Sequence, residues 1–278
     1  MILKGNIVKK LIIFLAFLLF SAPVYSIDKL SQEYLESTNH ISFSKGLAEF
    51  VAQRAIKKAL KKETGASFNV DFSGYTTHSI KNGIFKSLEL EGHDVKINEI
   101  EIPYVHLKSL SSYNYINYTQ NPMVFKSDMT YAYDLILSEE SLNAALKDSD
   151  YLKVISKVNK IAYPLFVVKG VKTKIIEDKM YIITDYNLPL SKGKDKSFVA
   201  QSDFEVTDGK IKAKNVSISS AYGNLGLNKV ANLINYLNPL EFTLNLIDSN
   251  KHNGTIENIK IVDNGVKIDG KIYIKGGQ

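Results

Sequence analysis

Five histidines, His40, His78, His93, His106 and His252, are the side chains best placed to move protons near neutral pH. A histidine base needs an orienting carboxylate and a reacting group within hydrogen-bond reach. Only His93 has an acid directly beside it, Asp94, and the pair reads as a loop histidine at a strand end. No two histidines fall at the helical spacing of a metal site, and there is no GxSxG elbow, HExxH helix, phosphate-cradling glycine loop or cysteine nucleophile. Glu139 and Glu140 are an acidic pair, but Ser138 before them is a good N-cap and a first helical turn favours carboxylates. Asp148 and Asp150 lack the twelve-residue calcium loop around them. The expectation is a protein that is not an enzyme and carries neither cofactor nor metal. A hydrolase built from two carboxylates that converge in space is the low-weight exception.

Charge narrows the partners. The formal net charge is +6, and Lys4, Lys9 and Lys10 near the N-terminus account for half of it. Arg54 is the sole arginine. Bidentate grip on phosphates and reading of base edges both favour arginine, so nucleic acid is not expected as a partner. Lysines suit weak, salt-sensitive attraction to an anionic membrane surface. Residues 1–26 have the form of an export signal: a basic start, an apolar run over 11–20, then Ser21-Ala-Pro-Val-Tyr-Ser26. Periplasmic, secreted or cell-envelope location follows as the expectation. With no cysteine there is neither a disulfide nor a lipoprotein anchor, so packing alone must hold the fold.

The elements that would position any site are mostly strands. Val266, Ile268, Ile272 and Ile274 alternate with Lys267, Asp269, Lys271 and Tyr273, a period of two that gives one apolar and one wet face. Asn264-Gly265 precedes them and Asp208-Gly209 separates Phe204-Val206 from Ile211-Ala213; both dipeptides favour tight hairpins. Further strands are expected over 67–107 with a turn at Asn82-Gly83, in one run over 123–137, and over 166–176 and 180–188 around Glu177-Asp178. Helices are expected over 46–62, after Ser138, over 151–158 and over 227–237, where Pro239 stops the last. A tyrosine-rich loop, Tyr113, Tyr115 and Tyr118, suits edge packing more than a membrane foot. Residues 27–44 read as an N-terminal arm and 45–278 as a single domain.

Four segments resemble the LmeA family of exported bacterial phospholipid-binding proteins. They are IKNGIFKSLELEGHDVKINEIEI (80–102), LILSEESLNAAL (135–146), FEVTDGKIKAKNVSIS (204–219) and IENIKIVDNGVKIDGKIYIKG (256–276), in the family's order. The resemblance implies an export signal, a long curved antiparallel sheet wrapped around amphipathic helices, and an elongated half-barrel with an apolar groove for acyl chains, a tubular lipid-binding form within the α+β class. It transfers no catalytic residues.

The helix over 46–62 carries an alanine-rich stripe, Ala48, Val51, Ala52, Ala55, Ile56 and Ala59. Small side chains either let a sheet come close or leave room for a guest. The second reading gives a lipid site of Val51, Ala52, Ala55, Ile56 and Ala59 opposed by Val266, Ile268, Ile272 and Ile274. Lys57, Lys58 and Lys61 would then contact the head group, unless they are simply the helix's solvated side. Acyl lipid and a membrane surface are the expected partners, in lipid transport or envelope maintenance. An outer-membrane β-barrel and a ligand-free structural envelope protein are the competing readings.

Overall fold

The computed structural model describes residues 43–97, 100–117, 124–163, 166–191, 195–220, 227–247, 253–263 and 265–277. The expected export signal and nearly all of the 27–44 arm lie outside them. Among the described residues no helix is long and apolar enough to cross a membrane.

The fold is α+β, and every strand pair is antiparallel. One sheet has six strands: β1 (Phe68–Ser73), β3 (Ser87–Ile97), β4 (Ile100–Ser109), β7 (Met129–Ser138), β13 (Gly265–Ile274) and β12 (Asn253–Val262), side by side in that order. A second has β11 (Lys210–Ser220), β10 (Asp195–Thr207), β9 (Lys179–Asn187) and β8 (Val167–Ile176). Three short strands, β2 (Ile84–Phe85), β5 (Asn114–Asn117) and β6 (Val124–Phe125), make the third. The first and last strands of each larger sheet pair with one strand only, so among the described residues none closes into a barrel, and the barrel reading falls.

Local chemistry explains the turns. Glu177 and Asp178 both take left-handed backbone (φ 48° and 57°), as do Asp208 and Gly209 (φ 55° and 70°), the form that matches strand twist in two-residue hairpins. The expected hairpins at 177–178 and 208–209 are therefore present; β12 and β13 pair antiparallel as expected, while Asn264 of the expected Asn-Gly turn lies outside the described residues. Where one strand over 123–137 is expected, the chain instead turns between β6 and β7. Ser127 Oγ accepts from the Tyr115 amide at 2.8 Å, and Asp128 accepts from the Tyr273 hydroxyl at 2.6 Å and the Gly276 amide at 2.8 Å. Those bonds tie the small sheet to the C-terminal end and require the break. Tyr113 and Tyr115 pack with buried Tyr75 and Ile84.

Among the described residues six α-helices accompany the sheets: α1 (Phe43–Thr64), α2 (Thr77–Lys81), α3 (Glu139–Ala145), α4 (Ser149–Ala162), α5 (Leu227–Tyr236) and α6 (Pro239–Ile247). Helix α6 is absent from the sequence expectation, although Pro239 both ends α5 and begins α6. Asn238 caps α6 by accepting from the Leu240 amide at 3.1 Å, and proline is tolerated at a first helical position. One continuous apolar core joins α1, the larger sheets and the other helices. Gly92 and Gly270 permit two close approaches within it. A Cβ at Gly92 would fall 2.5 Å from the Phe68 ring, and one at Gly270 2.0 Å from the Thr255 carbonyl oxygen.

Both edges of the four-stranded sheet are covered by side chains that imitate a further strand. The Asn159 amide brackets Val168, donating to its carbonyl at 2.9 Å and accepting from its N–H at 2.7 Å. Asn143 does the same to Thr173 at 2.9 and 2.8 Å, and Glu139 accepts from the Ile175 amide at 2.8 Å. On the β11 edge, Asn235 accepts from the Ala213 amide and Asn238 donates to the Ile211 carbonyl. Paired edge groups cannot recruit another chain. The bonds on the β8 edge also fix where α3 and α4 lie.

Candidate functional site

Helix α4 begins at Asp148, whose carboxylate accepts from the Asp150 amide at 2.7 Å. Tyr151, Ile155 and Val158 fall at i, i+4 and i+7 and are buried. The Tyr151 hydroxyl donates to the Leu237 carbonyl at 2.8 Å and its ring meets Phe242 edge-on at 4.9 Å, so the start of α4 is held to α5 and α6. Burial holds the Tyr151 phenol well above its ordinary titration range, so it stays neutral. At the other end Asn159 staples α4 to the β8 edge.

Along α4 runs an open groove of about 670 Å³ lined by Leu152, Ile155, Ser156, Asn159, Lys160, Tyr163 and Val167. Ile155 and Val167 give it apolar surface, Leu152 and Tyr163 are largely exposed, and among the described residues Lys160 is its only charged lining residue. The hollow is open to solvent along its length, and an apolar lining with few polar groups is the usual composition of small-molecule sites. Such a surface can hold a hydrocarbon segment with an anionic group near Lys160. It offers no nucleophile–base pair.

The residues expected to hold lipid are placed differently. Ala52, Ile56 and Ala59 are fully buried where α1 packs on β1 and β3. Ala55 is half-buried, and Val51 faces outward. Val266, Ile268, Ile272 and Ile274 are buried as their alternation requires, paired with Leu137, Leu135, Tyr131 and Met129. β3, β4 and β7 separate β13 from β1, which at about 4.8 Å per strand is about 19 Å. The two halves of the expected site therefore lie apart within the core and do not oppose each other. Lys57, Lys58 and Lys61 are exposed on the outer side of α1.

The exposed face of the six-stranded sheet holds a charged network invisible in the linear sequence. His106 Nε2 lies 2.8 Å from Glu89 Oε1, and its Nδ1 lies 3.5 Å from Asp134 Oδ2. Lys108 meets Glu89 at 3.0 Å and Lys267 meets Asp134 at 3.3 Å. The Lys108 and His106 side chains hold the Glu89 carboxyl below the usual carboxylate range. The residues come from β3, β4, β7 and β13, so only the register assembles them. Every member has a partner, which makes the cluster a cross-strand brace. His93, expected in a loop at a strand end, lies within β3 instead. It packs on Tyr104 at 5.3 Å and faces Glu91 at 3.9 Å, while Asp94 takes a left-handed backbone beside it. Among the described residues no group of three or more acidic or histidine side chains could hold a metal ion.

No protein-family model, curated protein or solved structure matches the chain. The likeness to the LmeA family rests on its four sequence segments alone.

Proposed function

We propose that this is an exported, non-enzymatic protein that binds phospholipid or another acyl lipid, with the hydrocarbon in the α4–β8 groove. The half-barrel form implied by the LmeA resemblance and a role in lipid transport or envelope maintenance belong to the same proposal. The observation that carries it is the groove itself, apolar at Leu152, Ile155, Tyr163 and Val167 with Lys160 beside them. Moving hydrocarbon out of water gains about 0.8 kcal/mol per methylene, so even a partly covered chain would be held.

Native mass spectrometry of the purified protein tests the proposal, together with titration of a fluorescent acyl lipid. Ser156 is exposed, so Ser156→Trp fills the groove without entering the core. Retained melting temperature with at least a tenfold loss of affinity, about 1.4 kcal/mol, is the expected result. A wild-type protein that carries and binds no lipid would overturn the function, leaving the structural reading. A Ser156→Trp protein that binds as tightly as wild type would move the site elsewhere.

A further inference from the structure

Helix α1 is apolar on two opposite sides over its first half. Its inner side is buried on β1 and β3, yet Leu47, Phe50 and Val51 on the outer side are 55%, 51% and 43% exposed. Spacings of three and four residues place them on one stripe. The same stripe continues through Arg54, Lys57, Lys58, Lys61 and Lys62, all exposed. The one exposed acid of this half, Glu63, projects from the other side by the helical repeat, and Glu49 pairs with Lys45 at 3.9 Å. The Arg54 guanidinium stands 5.2 Å from the centre of the Phe50 ring, joining the apolar half to the basic half.

We infer that this outer face of α1 docks on an anionic membrane surface, with Leu47, Phe50 and Val51 entering the interface and the five cations resting among lipid phosphates. Complementary charge selects that occupant. Lysines in the last turn suit the helix dipole, but that accounts only for Lys61 and Lys62. A second copy docked with its α1 parallel would set five cations against five, and one docked antiparallel would bury the cations on the apolar half. Four of the five are lysines, flexible point charges suited to mobile head groups more than to a fixed bidentate partner. Interfacial helices combine apolar insertion with attraction to anionic lipid in this way. Nothing in the inference depends on what fills the α4–β8 groove.

The chain has no tryptophan, so Phe50→Trp in the full chain is a single indole reporting this position alone. Its emission is expected to shift blue, with quenching by brominated acyl chains, on vesicles of phosphatidylglycerol and phosphatidylethanolamine. It should stay unchanged on phosphatidylcholine vesicles. Salt at about 1 M, where screening acts within about 3 Å, should reverse the shift. Each of Lys57→Gln, Lys58→Gln and Lys61→Gln should weaken binding by about fivefold. Ile176→Trp, at the far end of β8, is the control and should not respond. An unshifted Phe50→Trp spectrum, or equal response to neutral vesicles, overturns the inference. So does a shift without vesicles: one that grows with protein concentration means a second copy, and one that does not means another part of the chain. Quenching by an acidic polypeptide in preference to vesicles would point to a protein partner. Lipid carried in the groove is scored separately by Ser156→Trp, so either idea can fail alone.

Discussion

Helices α1 and α4 both lay an apolar stripe against a sheet, but they do so with different side chains and different consequences. Helix α1 uses Ala52, Ala59 and Ile56, and at those positions it sits on β1 and β3 with its contact surface fully buried. Helix α4 uses Tyr151, Ile155 and Val158 and is tied by Asn159 to the edge of β8, leaving an open groove along its length. Alanine therefore marks close approach here, because removing side-chain volume lets backbones draw together until the gap is gone. Room for a guest arises where larger side chains and an edge-on staple hold a helix off.

Two substitutions would break or sharpen that contrast, and a third tests a contact away from both helices. The largest effect belongs to Ala52→Leu. It inserts three carbons where α1 meets the sheet with no free surface, and should cost about 2–3 kcal/mol in urea unfolding while leaving the proposed lipid binding at the α4–β8 groove unchanged. A stable variant that instead expels lipid would restore the α1 face as the lipid site. Next is Asn159→Ala, which strands the Val168 N–H and carbonyl and should cost about 1–2 kcal/mol, with faster amide exchange at β8. Unchanged exchange would mean that packing of Ile155 and Val158, without the staple, holds α4 in place.

The smallest effect concerns where the two larger sheets approach. A hydrogen bond to Asp263, then the repulsion between the two charges, raises the Asp178 carboxyl above its ordinary value. A carboxyl raised in the folded state binds protons more tightly than in the unfolded chain. Its stabilising contribution is full below the unfolded value of 3.8 and is lost as pH rises through the folded value. Asp178→Asn should therefore melt slightly higher than wild type at pH 7, and the difference should close below pH 3.8. A difference independent of pH would show that Asp178 and Asp263 do not share a proton.

Much of the fold was legible in local chemistry. The alternation of Val266, Ile268, Ile272 and Ile274 with polar neighbours determined which face of β13 is buried, because successive strand side chains point to opposite faces. The Asp208-Gly209 and Glu177-Asp178 turns, the Ser138 cap of α3 and the stripe of α1 were equally readable. Helix α6 could have been read from Asn238-Pro239, a cap followed by a first-turn proline, had the proline been taken as a beginning as well as an end.

Which buried faces oppose one another was a different kind of question. Ala52 and Ile268 are each correctly apolar, yet strand order sets them at separate places in one core. The His106 network needs the register of four strands, and the α4–β8 groove needs Asn159 to find Val168 across a chain reversal. The sequence by itself determined periodicity, turns and the buried side of each element, since these depend on neighbours along the chain. Only the tertiary structure decided which faces meet and where space remains, since those depend on pairings between elements, whether distant in the chain like Ala52 and Ile268 or successive like α4 and β8.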